Sequence, residues 1–273
     1  MHVTELHVYP VKSCRGIALR SSPVGRRGLE HDRRWMIVDG ENTFITQREA
    51  PVLATVDVAV DGSTLLLSAE GHGQIRVAAS QTAAGARRRV RVWRSEVDAL
   101  DCGDEAALWL DGLLGSAIGS GARLVFMPDD VERAVSPDHS RPGDIVGFAD
   151  GFPLLLATTA SLADLNARLA APVPMNRFRP NVVVEGCAPW EEDGWTQVTV
   201  GQVPFRVAKP CGRCTIITTD QRTGERDVEP LRTLATFRQL GNQVNFAQNC
   251  VPDASGTIAV GDELAVPSRA KPS

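Results

Sequence analysis

Hydrophobic positions in this chain come in short runs broken by turn residues, with few long helical stripes. Val3, Leu6 and Val8 mark a strand over 3–9 that stops at Pro10. Further strands are predicted at 35–38, 44–46, 54–60, 64–67, 75–78 and 89–93, punctuated by Asp39-Gly40, Asp61-Gly62, Gly71 and Gly73. So many short strands in succession predict a β-rich unit with antiparallel pairing. A helix is predicted over 104–114, with Asp104 as N-cap, Gly115 as stop and Leu108, Leu110, Leu113 and Leu114 as its apolar residues. The small residues of 115–121 predict a linker.

A second series begins with a strand at 123–127 and a polar loop at 128–147, expected on the surface or over a cleft. The apolar run 152–157 leads to a short helix capped by Ser161 with Asp164 three residues on, its buried face marked by Leu162, Leu165 and Leu169. Arg177-Phe178-Arg179-Pro180-Asn181 precedes a strand at 182–184, and 190–193 is predicted as a loop. Strands 198–200 and 203–208 form a hairpin through Gly201. A third helix starts at Pro230 and carries Leu231, Leu234 and Leu240, with Gly241 as its cap. A strand at 258–264 closes the fold. The expected division is an N-terminal unit at 1–118, a second domain at 119–267 and a tail at 268–273.

Composition narrows the class. At 273 residues, 43% hydrophobic and 23% charged, the chain is of ordinary globular make-up and long enough for a full core. A net charge of −4 gives no global basic signature for nucleic acid. No apolar run approaches bilayer length and the N-terminus lacks a signal-peptide pattern. Six unpatterned cysteines fit a reducing cytoplasm. Of 29 basic residues 26 are arginines, whose planar fork matches phosphate and carboxylate, so a pocket for an anionic ligand is one use for them.

The densest chemistry lies at Pro210-Cys211-Gly212-Arg213-Cys214, read as a strand end, a turn presenting sulfur and the start of another strand. A thiolate is a soft metal ligand and a nucleophile, and a neighbouring guanidinium favours it. Half of a structural zinc site, a redox dithiol and two buried inert cysteines all remain open on these residues alone. Lys12-Ser13-Cys14-Arg15-Gly16, at the end of the first strand, offers a cation, a hydroxyl and backbone amides to an anion, or is an ordinary polar turn. Ser161 is a helix cap that also stands at an anion-attracting helix N-terminus.

Taken together, five stretches resemble the molybdenum cofactor sulfurase C-terminal (MOSC) family over nearly the whole chain. They are Tyr9 to Gly16, Asp32-Arg33-Arg34-Trp35, Ala160 to Asn166, Phe178-Arg179-Pro180-Asn181, and Cys211 to Cys214 followed by Thr218-Thr219-Asp220 and Thr223-Gly224. The likeness is greatest to two-part members such as the mitochondrial amidoxime reducing component and its bacterial relatives. The resemblance implies an α+β, mainly β protein: a MOSC-type β-barrel domain with a few helices plus a β-rich N-terminal domain, holding a molybdenum cofactor (molybdopterin with Mo) at their junction. It implies Cys214 as the catalytic thiolate on molybdenum. Lys12, Ser13, Arg33, Ser161, Arg179, Asn181 and Arg213 would hold the pterin and its phosphate. Thr159 stands where some relatives place an acidic residue and joins the cofactor-binding candidates. The implied activity is reduction of small N-hydroxylated substrates. Electrons would come from a separate flavin or iron–sulfur protein, because the chain lacks a Cys-x4-Cys-x2-Cys run. A cysteine-persulfide sulfur carrier without bound pterin, and a β-rich scaffold with inert cysteines, are the alternatives.

Overall fold

The first strand of the chain belongs to the sheet that the second half builds. The computed structural model describes residues 1–62, 64–78 and 85–269; Lys271 and the rest of the expected tail beyond 269 lie outside them. Among the described residues the first half contains β1 (His2–Val8), β2 (Ile17–Leu19), β3 (Ser21–Gly25), β4 (Gly28–Leu29), β5 (Trp35–Val38), β6 (Asp57–Asp61), β7 (Thr64–Ala69), β8 (Gly73–Ala78), β9 (Arg87–Val92) and β10 (Ser95–Asp101). Helix α1 (Asp104–Ile118) and β11 (Arg123–Phe126) follow. The second half contains β12 (Leu154–Thr158), α2 (Thr159–Asn166), β13 (Val182–Glu185), β14 (Trp195–Val200), β15 (Val203–Arg213), α3 (Leu231–Arg238), β16 (Gln239–Leu240), β17 (Gln243–Pro252), β18 (Gly256–Ala259) and β19 (Leu264–Arg269). The protein is α+β and mainly β.

The largest sheet runs β19-β14-β15-β17-β12-β13-β1-β2, with β16 against β17. Its β12–β13 pair is parallel, as a connection through a helix requires. β12 and β13 are apolar almost throughout because both faces of the sheet are covered. Leu154, Leu156, Val182 and Val184 pack with Val3, Leu6 and Phe205, while Leu155, Ala157 and Val183 pack with Phe178, Ile217 and Phe246. β18 pairs with β3 and β1 with β13, so strands from the first 29 residues are stitched into the second half. A four-stranded sheet β5-β11-β10-β9 and a meander β6-β7-β8 build the remainder of the first half, over a core of Trp35, Ile37, Leu65, Leu110 and Leu124.

Several local expectations are corrected. Helix α1 passes through Gly115 and ends at Ile118, because burial of Leu110, Leu113 and Leu114 outweighs the roughly 1 kcal/mol cost of one glycine. It stops at Gly119, whose φ of 79° is open to glycine. The stretch before β6 is a 3-10 turn, Pro51–Thr55, started by its proline. Helix α2 begins earlier than predicted: Thr158, not Ser161, is the cap, its hydroxyl accepting from Ser161 N at 3.1 Å. Helix α3 ends at Arg238, leaving Leu240 exposed in β16. The expected closing strand is two strands, β18 and β19, separated by a turn at Gly261. The central β17 had no prediction, because Gln243, Asn245, Gln248 and Asn249 interrupt its apolar pattern.

Candidate functional site

Seven of the nine sequence-predicted site residues line one cavity of about 130 Å³ where the two halves meet: Lys12, Ser13, Arg33, Arg179, Asn181, Arg213 and Cys214. Three of them, from three different loops, hold left-handed backbone: Ser13 at φ 70°, Arg33 at 47° and Arg179 at 56°. A non-glycine residue there costs on the order of 1 kcal/mol and persists only where the surroundings enforce it, most often at functional sites.

The enforcement is visible around Tyr9. The guanidiniums of Arg33 and Arg179 each pack 4.2 Å from the centre of its buried ring, and its hydroxyl donates to Pro180 O at 3.1 Å. Burial pushes the phenol up to about 12 against the pull of both arginines. Arg33 Nη1 donates to both oxygens of buried Asp32 at 2.8 and 2.7 Å and to Asn181 Oδ1 at 3.1 Å. Asn181 in turn donates to His7 O and Asp32 Oδ1 and accepts from Leu155 N. Its amide is fully used as a clamp between β1, β12 and the Asp32-Arg33 turn.

Arg179 is 8% exposed. It gives Nη1 to Gln221 Oε1 at 3.3 Å, but its Nη2 has no hydrogen-bond partner. Burial first, then the nearby Arg33 charge, presses its pKa below the ordinary arginine value. A buried guanidinium with an idle donor and a like charge beside it is suited to receive an anion. Lys12, equally buried, donates to Phe148 O at 2.9 Å and to Asp150 Oδ1 at 2.5 Å, and burial lowers its pKa despite that carboxylate.

The sulfur end differs from the reading of its residues. β15 runs through Cys211 and Gly212, and after Cys214 the chain enters a 3-10 turn, Thr215–Thr218, rather than a strand. Ile217 N bonding back to Cys214 O and Thr218 Oγ1 to Thr215 O close that turn, while Ile217 is drawn into the core. Cys214 is exposed at the cavity edge. Arg213 does not face it: Nη1 meets Cys211 Sγ at 3.0 Å and Nη2 donates to Phe178 O at 2.7 Å, with Nε unpartnered. The guanidinium beside Cys214 is that of Arg48, with Nη1 4.0 Å from Sγ. Among the described residues no three His, Cys, Asp or Glu side chains gather as metal ligands. A metal on Cys214 would therefore have to bring other ligands with it. Cys14 and Cys250 are buried, and burial pushes their thiols up to about 12.

Thr159 and Ser161 are not among the cavity-lining residues. The Ser161 hydroxyl donates to Glu192 Oε1 at 2.6 Å and accepts from Trp190 N at 2.7 Å, behind β12. Arg177 is committed to Thr218 O and Asp220, and Arg34 to Met127 O and Asp129. Sequence reasoning missed Arg48, Asp150 and the buried Gln47–Gln221 amide pair. The Thr46-x-x-Glu49 spacing does signal a local turn, made by Glu49 Oε2 accepting from Thr46 N and Oγ1. Nothing in it tells which side Arg48 faces.

Residues 1–117 match the MOSC N-terminal beta barrel domain and residues 144–265 the MOSC domain. The chain is 35% identical over 278 residues to human mitochondrial amidoxime-reducing component 1, covering 96% of this chain and 82% of that protein. It is 33% identical over 244 residues to bovine mitochondrial amidoxime reducing component 2, covering 86% and 72%. A molybdenum cofactor sulfurase of Drosophila willistoni is 30% identical over 241 residues, 86% of this chain and 29% of that protein. The expected cytoplasmic location is overturned by these comparisons, in which the relatives sharing most of their length with the chain are mitochondrial components. A low cysteine count separates reducing from oxidising surroundings but not one reducing compartment from another. Among the described residues no helix is long and apolar enough to cross a membrane.

Proposed function

The chain belongs to the MOSC family, and from that premise we propose that it is a molybdenum-cofactor-dependent reductase of small N-hydroxylated compounds, supplied with electrons by a separate flavin or iron–sulfur protein. The observation that carries the reading is the idle Nη2 of buried Arg179 in a cavity shared with Lys12, Arg33 and the exposed thiol of Cys214. That donor set fits a group with an anionic end and a metal end. Arg179, Arg33 and Lys12 would neutralise the phosphate, with Ser13 and Arg213 beside them, and Cys214 would supply one soft ligand to the metal. Cys214 stands exposed at the cavity edge, where the metal end would be held.

When bound, the cofactor supplies two-electron removal of oxygen from nitrogen; per turnover R–NH–OH, two electrons and two protons become R–NH2 and water. The chain's own residues bind and orient. The Tyr9 ring packs against both guanidiniums and would help fix them, and Asn181 locks the Asp32-Arg33 turn. A persulfide carrier would account for the exposure of Cys214 but leaves Arg179 Nη2 without a partner.

The test is molybdenum and pterin analysis of protein expressed with molybdate, together with amidoxime reduction by a reconstituted donor. Near-stoichiometric molybdenum and pterin in wild type and Cys211→Ser, with molybdenum lost in Cys214→Ala, is the expected result. An active, fully loaded Cys214→Ala would overturn it.

A further inference from the structure

A second cavity, of about 340 Å³, shares Arg179 with the candidate site and no other residue. Its charged lining is of one sign: Arg15, Arg179 and Arg222 border it, and no carboxylate does. The three guanidiniums are unequally engaged. Arg15 gives Nη1 to Asp57 and Nη2 to Gln221 O at 3.4 Å, which leaves other N–H groups of its fork over. Arg222 is exposed, and among the described residues its guanidinium has no hydrogen bond or ion pair; its backbone N alone is used, toward Asp220 Oδ1 at 2.8 Å. Arg179 is the buried one, with Nη2 unpartnered and the charge of Arg33 near it. Asn176, at the same cavity, presents an exposed side-chain amide that is likewise unbonded among the described residues.

Like charges around one concave space repel, and a buried member strengthens the field because little water screens it. An anion seated among them relieves both. We propose that this cavity is a second anion site, which takes a phosphate group on Arg222, Arg15 and Asn176 in the field of Arg179. The planar forks of Arg15 and Arg222 suit paired phosphate oxygens, where a lysine would offer only a point charge. The site goes beyond the reductase reading, since neither Arg15 nor Arg222 borders the cavity that holds Cys214. Inorganic phosphate and the phosphate end of a small monoester share this chemistry.

Calorimetric titration of the protein as isolated with inorganic phosphate and with ribose 5-phosphate, at fixed ionic strength, tests it. Saturable binding should weaken about tenfold in Arg222→Ala, as for loss of one charge-assisted contact, and disappear in Arg222→Glu. Because Arg222 is exposed and its side chain unbonded, Arg222→Ala should keep the wild-type Tm without phosphate. Tighter binding of ribose 5-phosphate assigns the site to a monoester, and equal or weaker binding to the free ion. Lys12→Met alters the other cavity alone. Phosphate affinity that falls in Lys12→Met but holds in Arg222→Ala places the anion beside Cys214 and overturns the second site. So does the absence of saturable binding by either probe.

Discussion

Gln47 and Gln221 exchange hydrogen bonds across the junction of the two halves, each side-chain nitrogen donating to the other's oxygen at 3.0 Å. Gln47 Nε2 also donates to Ser13 O at 2.7 Å, and Gln221 Oε1 accepts from Arg179. One amide pair therefore supports two of the cavity's residues.

Replacing Gln47 by Ala should take from Ser13 O its side-chain donor and from the Gln221 amide two of its four hydrogen bonds in a buried place, costing about 1–3 kcal/mol. Thermal unfolding should show a lower Tm, and pterin retention should fall with it. In a double-mutant cycle with Gln221→Ala the losses should be less than additive, because either substitution removes the shared pair.

Gly16→Ala should damage the site from outside it. A Cβ there would stand 2.5 Å from Cε1 and 2.8 Å from Cδ1 of Tyr9. The ring it displaces is the one both Arg33 and Arg179 pack against. Molybdenum and pterin content should drop while the circular dichroism spectrum stays close to wild type; unchanged loading would show that the Tyr9 contacts with the two arginines are not needed for it.

Arg179→Gln should remove the idle donor and its charge. Loss of one buried charge-assisted contact to an anion is worth about 1.5–3 kcal/mol, roughly ten- to a hundred-fold in cofactor retention. Dialysis followed by metal and pterin analysis reads this directly. Equal retention in wild type and variant would remove Arg179 from the cofactor site.

Glu192 gives a pH prediction. Burial is the largest influence and raises its pKa, partly opposed by the hydrogen bond from Ser161. The folded state then holds a proton that the unfolded chain gives up, so stability falls as pH rises from the ordinary glutamate value through the raised one. Glu192→Gln should flatten that part of the Tm–pH curve and match or exceed wild-type Tm above it. Ser161→Ala should lower Tm while leaving molybdenum content unchanged, since the Ser161 hydroxyl is committed to Glu192.

Much of this protein was legible in its sequence. The alternation in 3–9, the apolar run at 152–157 and the valines at 182–184 marked strands because burial of one or both sheet faces writes its period into the chain. Ordered short motifs picked out seven residues that the fold brings to one cavity, four of them cationic, one a thiol and two neutral polar groups. What only the tertiary structure decided depends on where side chains meet across distance. β17 was hidden because its Asn and Gln residues find partners in other elements, as Gln248 does in Asp193. Ser161 is turned to Glu192 and Trp190 rather than to the cavity, and Arg213 faces Cys211 because Phe178 O takes the other arm of its fork. Arg48, 166 positions from Cys214, had no local signal at all. Periodicity records which face is buried, whereas a polar contact records a neighbour, and the neighbour is chosen by the fold.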